Sequence, residues 1–272
     1  MDKISLAGDL GSGKSTVARI LCPALGAEYY STGSIVRSIA ERMGMTVVEL
    51  NKYMETHPEI DHEIDDGIAA LSDDPRALVI DSRMAWHFTR GTFAVYLSTD
   101  PETSALRIMN ANRRGEHAET LEDTVRETRA RRESERKRYM TQYGVDIKDL
   151  SNYSLVVDTT YATPDEIAAA ILAEFDRWQT DRSHRAVLLS PERLSFIDDE
   201  QDAERVAALS ASLELGEPIP EVTVCERDGE FYVVDGTESA LAHSLSFATF
   251  IPARLVKADL AGKKFVKMRA SL

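Results

Sequence analysis

Gly8-Asp9-Leu10-Gly11-Ser12-Gly13-Lys14-Ser15-Thr16 is the stretch that decides how this chain folds. Its spacing, Gly-x-x-x-x-Gly-Lys-Ser, is that of a phosphate-binding P-loop, and the flanks are those the motif requires. Ile4-Ser5-Leu6-Ala7 reads as a short buried strand, and Val17-Ala18-Arg19-Ile20-Leu21 continues as a helix with apolar residues on one side. Gly8, Gly11 and Gly13 let the backbone turn tightly, so that successive N–H groups around Ser12, with the positive end of the helix dipole, face phosphate oxygens. Lys14 then reaches the β- and γ-phosphates. Ser15 offers its hydroxyl to a Mg²⁺ shell, and Thr16 stands one step into the helix. A flexible Gly/Ser loop before a helix is the bland alternative, and the strand, loop, helix order argues against it.

Working outward, 272 residues allow one large or two modest domains, each able to bury a core. A formal charge of −14 argues against a general binder of nucleic acid or anionic membrane, so a phosphate site must be locally basic. Cys22 and Cys225 lie far apart in sequence and suggest neither a metal cluster nor a disulfide framework. With no signal-type segment and no apolar run of ~18 residues, the expectation is a soluble, cytoplasmic protein.

Apolar runs at Ile4 to Ala7, Ala77 to Ile80, Phe93 to Leu97 and Leu155 to Val157 alternate with helical stretches. That alternation predicts an α/β fold with a parallel sheet flanked by helices. Thr163-Pro164-Asp165-Glu166 reads as a helix start leading to Trp178. The polar segment Gln179 to Arg185 then marks a boundary, giving units of 1–178 and 185–272.

A P-loop establishes nucleotide binding but not the use made of the phosphate, and three further stretches favour a kinase. Ser31-Thr32-Gly33-Ser34-Ile35-Val36-Arg37 follows the first helix, where a second substrate can approach the γ-phosphate; Arg37 can hold its phosphate as a fork. Asp81-Ser82-Arg83 ends a strand, where ligands lie in open α/β sheets. Asp81 can place Mg²⁺ or orient the acceptor, and Arg83 can hold phosphate. Arg126, Arg129, Arg131, Arg132, Arg136 and Arg138 cluster in one stretch of an otherwise acidic chain. They read as an arginine-bearing helical lid that gathers phosphoryl charge and excludes water, with Arg132 and Arg138 as the functional choices. The competing reading is a solvated face laced with i,i+4 pairs.

Together these residues resemble the cytidylate kinases of the nucleoside monophosphate kinase superfamily, in particular the short archaeal-type branch, over residues 1 to 177. The resemblance rests on the P-loop, on Ser31-Thr32-Gly33 through Arg37, and on His57-Pro58-Glu59-Ile60-Asp61 followed by Asp65. It rests also on Asp81-Ser82-Arg83, on Arg132-Glu133-Ser134-Glu135 leading to Arg138-Tyr139, and on Tyr143 to Asp146 with Tyr153 through Thr159. It implies transfer of the γ-phosphate of ATP to CMP or dCMP with Mg²⁺. Ser82 departs from the family, where glycine often stands between the acidic residue and the arginine. Asp61 and Asp65 share a helix face and either approach the base or ribose or form a solvated acidic surface. His62 and His87 lack ligand-like partners and are read as structural.

Residues 185–272 differ in character. Helices at Glu204 to Leu213 and Ala240 to Leu245, a hairpin through Asp228-Gly229 and a strand near Ile251 to Val256 follow one another. The order resembles the ParB/sulfiredoxin-like fold. Thr237-Glu238-Ser239 stands where such a protein carries an arginine, so the resemblance implies a degenerate accessory module for regulation, dimerisation or partner binding. Two other functions remain open: a P-loop kinase of another small acceptor, and a non-catalytic nucleotide sensor.

Overall fold

The computed structural model describes residues 2–111 and 120–268. Its centre is β1 (Lys3–Gly8), buried along its whole length. β2 (Glu28–Ser31), β3 (Leu78–Asp81), β4 (Thr92–Ser98) and β5 (Leu155–Asp158) complete a parallel array in the order β5-β4-β1-β3-β2. Ser5 of β1 sits opposite Ile80 and Ala94, which fixes the central register. Helices cover both faces, so the strands read as near-continuous apolar runs rather than as an alternation. On one face α1 (Lys14–Leu25) and α8 (Pro164–Thr180) pack Val17, Leu21, Ile171 and Phe175 against Ile4, Leu6, Val95 and Val157.

Between β2 and β3 the chain forms α2 (Thr32–Met43), α3 (Val47–Met54) and α4 (Pro58–Ala70), which enclose Leu78 and Ile80. The short α5 (Ala85–Phe88) follows β3, and α6 (Pro101–Asn110) follows β4. The arginine-rich stretch lies within one 23-residue helix, α7 (Leu121–Tyr143), which packs against α6 and α3. Its buried residues include Glu135, Arg138 and Tyr139, so it docks through a charged face.

Beyond α8 the sheet continues. β6 (Ala186–Leu189) lies parallel to β5, with Ala186 opposite Leu155. β7 (Leu194–Ile197), α9 (Ala203–Glu214), β8 (Val222–Arg227), β9 (Glu230–Asp235), α10 (Thr237–Leu245), β10 (Ile251–Leu255) and β11 (Phe265–Lys267) follow. β10 runs antiparallel to β6 through Ile251 and Leu189, then parallel to β8 through Ala253 and Val222. Among the described residues this gives one eleven-stranded sheet, ordered β11-β7-β9-β8-β10-β6-β5-β4-β1-β3-β2. The hairpin through Asp228 and Gly229 is present; both residues have positive φ, 56° and 87°, as a twisted two-residue turn requires. Tyr96 and Val156 from the first half share a core with Leu189, Phe196 and Val224 from the second.

Candidate active site

At the carboxyl ends of β1 and β3 a cleft of about 460 Å³ opens. The P-loop forms its floor. A Cβ on Gly8 would collide with the Leu97 carbonyl, and one on Gly11 would come within 2.5 Å of the Ser104 carbonyl. The backbone therefore passes its neighbours closer than any side chain permits, leaving its concave side to a ligand. Gly13, at φ 86°, is the residue before the first turn of α1 and lines the cleft with Ser12, Ser15 and Thr16.

Lys14 curls over the loop, its Nζ donating to the carbonyls of Asp9 (2.8 Å) and Gly8 (3.2 Å) and to Ser12 Oγ (3.4 Å). Burial pushes its pKa down to about 7, and the charge of Arg83 pushes the same way, against Asp81, Asp9 and Glu135. A bound phosphate beside it would restore the charged form.

Opposite the loop, Glu135 of α7 gathers two arginines: Arg83 Nε donates to it at 2.8 Å and Arg131 Nε at 3.2 Å. Burial works to raise the Glu135 pKa, but the two guanidiniums outweigh it and hold it at about 2. Arg83 and Arg131 both line the cleft. Asp81 receives the Tyr29 hydroxyl at 2.8 Å, and its backbone carbonyl accepts from Thr32 Oγ1 at 3.3 Å.

The limb on the β2–β3 side is lined by Thr32, Gly33, Arg37, Asn51, Asp61 and Arg138. Asp61 is 2% exposed and pairs with Arg138 at 2.7 Å; Arg138 also donates to the Asn51 carbonyl at 3.2 Å. Asp65 accepts from the Tyr143 hydroxyl at 2.8 Å. These two carboxylates form a buried floor, so the solvated-surface alternative does not describe them. His62 meets Tyr143 (3.2 Å), a structural contact. On the β4–β5 side a second limb is lined by Val17, by Arg107 and Ile108 of α6 with Ala111 just beyond its end, and by Ala162, Pro164 and Ile167.

The cleft thus brings together Lys14, Arg83, Asp81, Thr32, Gly33, Arg37, Asp61 and Arg138 with Gly11 through Thr16. It does not include Arg132, which lies behind the P-loop and reaches the Asp9 carboxylate at 3.3 Å, beside Lys148 at 2.9 Å. Those cations and the Thr99 amide hold Asp9 well below the usual carboxylate range despite burial. Sequence reasoning named Arg131 within the arginine cluster and Glu135 within the resemblance, but singled out neither. Their spacing with Arg138, i, i+4 and i+7, placed all three on one helix face and was the available signal. Arg107 and Tyr29 had no such signal.

The donor set fits a nucleotide with Mg²⁺. Ser15 and Asp81 both face the cleft, and among the described residues no three His, Cys, Asp or Glu side chains cluster as a metal cage. Mg²⁺ is ordinarily held by one or two protein oxygens plus substrate phosphates and waters, which such a sparse set suits.

Residues 3–161 match the Cytidylate kinase-like family. The cytidylate kinase of Thermoplasma volcanium is 34% identical over 178 residues, covering 64% of this chain and 91% of that protein. That of Sulfolobus acidocaldarius is 36% identical over 177 residues, 64% of this chain and 94% of the relative. An S-adenosylmethionine-dependent nucleotide dehydratase of Lacinutrix mariniflava is 35% identical over 179 residues, 64% of this chain, and the matched span is 36% of that larger protein. With its P-loop, its paired arginines and these relatives, the chain belongs to the cytidylate kinase-like family and is a kinase.

Proposed function

We propose that the protein transfers the γ-phosphoryl group of ATP to CMP or dCMP, giving CDP or dCDP and ADP. One observation carries the reading: Arg83 and Arg131, fixed on Glu135, face Lys14 across a single cleft that has a separate limb on each side. Cations so placed gather the charge spread over a phosphoryl group in flight, and an ionised acceptor phosphate needs no strong general base. Arg37 holds the acceptor phosphate. Asp61 and Arg138, both buried, offer a carboxylate and guanidinium donors, a pairing that suits the amino and carbonyl edge of cytosine. Mg²⁺, held by Ser15 and Asp81, neutralises phosphate charge when bound. Lys14 gives up its contacts with the loop carbonyls to reach the phosphates.

We read residues 185–272 as an accessory unit of ParB/sulfiredoxin-like type. Its strands occupy the far edge of the sheet, and α10 starts at Gly236 with Thr237-Glu238-Ser239 and no arginine. That supports a role in regulation, homodimerisation or partner binding over a second catalytic site. Cys22 and Cys225 are both free thiols, which suits a reducing cytoplasm.

The test is an ADP-release assay with ATP and Mg²⁺ against CMP, dCMP, UMP, AMP, GMP and no acceptor, with the diphosphate product identified. Turnover confined to CMP or dCMP is expected, and Lys14→Ala should abolish it. ATP binding without turnover of any monophosphate would favour another acceptor or a sensor instead.

A further inference from the structure

Arg193 belongs to the C-terminal unit, lies outside the cleft, and is only 2% exposed. A charge sunk so deep is costly unless paired. Its Nη1 donates to Asp158 Oδ1 at 2.9 Å and to Thr160 Oγ1 at 2.8 Å, and its Nη2 donates to the Gly229 carbonyl. Asp158, fully buried at the end of β5, also accepts from the Thr160 amide at 3.1 Å. The 158–160 turn is therefore fastened from the C-terminal side by one guanidinium, whose Nη1 spans Asp158 and Thr160 while Nη2 anchors it to the Gly229 carbonyl.

On its other side the same turn holds a second arginine. Arg107 Nη2 donates to the carbonyls of Thr159 (2.7 Å) and Thr160 (3.2 Å), and Arg107 lines the cleft. A few residues on, Ala162 and Pro164 form the wall of that same limb. Strand order decides which substrate this concerns. The elements around Arg37, Asp61 and Arg138 lie on the β2–β3 side, whereas α6 and the start of α8 lie on the β4–β5 side. If the acceptor takes the first limb, the donor nucleoside takes the second.

We propose that Arg193 is a positioning residue for the triphosphate donor: by fixing the 158–160 turn it sets Arg107 and the wall of the nucleoside limb, so the C-terminal unit completes the ATP site. The inference rests on the phosphotransferase reading for its assignment of limbs.

Arg193→Met and Arg193→Lys in the full chain test it, with Arg254→Ala as an exposed control in the same unit. MgATP and CMP are titrated separately by calorimetry, beside KM for each and the thermal midpoint. The expected result is a loss of about tenfold in ATP affinity for the methionine variant, as is typical when an outer partner of a ligand-holding group is removed. CMP affinity should stay within about twofold, and the lysine variant, with charge but no second nitrogen for the Gly229 carbonyl, should fall between. Should the methionine chain fail to fold, the lysine chain decides. ATP affinity unchanged in a folded variant, or equal weakening of ATP and CMP, would overturn the proposal. Because ATP binding is read without turnover, failure of the CMP assignment leaves this comparison intact.

Discussion

Asp65 shows how far burial moves one carboxyl in this cleft. Desolvation pushes its pKa up to about 6; the Tyr143 hydrogen bond acts against this, and the neighbouring charge of Asp61 adds to it. The unfolded chain titrates near 3.8, so the native state holds the proton more tightly. The group's contribution to stability is fully present below about 4 and is lost as pH rises through about 6. Asp65→Asn keeps an acceptor for Tyr143 and removes the buried charge. It should raise the thermal midpoint at pH 8 and leave it nearly unchanged at pH 4; equal shifts at both would sink this account. At this scale the P-loop was legible outright, because spacing alone dictates its backbone. The choice among six arginines was not, since a helix stretch this rich in charge offers a plausible partner on every face.

Among the elements, α8 carries the clearest local signal. Thr163 Oγ1 accepts from the Glu166 amide at 3.3 Å, and Glu166 Oε2 accepts from the Thr163 amide at 2.8 Å, a reciprocal cap that the sequence Thr-Pro-Asp-Glu announces. Glu166 Oε1 also takes the Thr249 hydroxyl at 2.8 Å, tying the helix start to the loop before β10. Thr163→Ala should cost about 1 kcal/mol, read as a shifted midpoint in urea with unchanged slope. Strands β1, β3, β4 and β5 were legible because each is buried on both faces and reads as an apolar run. β2 escaped notice: Glu28-Tyr29-Tyr30-Ser31 lies at the sheet's edge, partly exposed, and is held by the register of β3 rather than by its own composition. β7 and β11 are short; β11 pairs with β7 and β7 with β9, contacts that no local pattern encodes.

For the whole molecule, the polar segment between Trp178 and Ala186 suggested a boundary but carried no sign of the strand pairing that crosses it. β6 completes the edge of β5, and Tyr96 and Val156 are covered partly by residues contributed after position 185. A chain ending at residue 182 therefore bares a strand edge and an apolar face together, the combination that drives association. It should melt lower than the full chain and elute as larger species in size-exclusion chromatography. A monodisperse monomer of undiminished melting temperature would refute the shared core.

The insertion of β10 between β6 and β8 has a consequence for a chain made from its N-terminus onward. When β6 leaves the ribosome its outer edge has no partner, and none exists until β10, which starts at Ile251, emerges and slides in beside it. The nucleotide-binding half can collapse early around β1, yet until β10 arrives it carries an open seam. A strand made well after the nucleotide-binding half is thus what seals it.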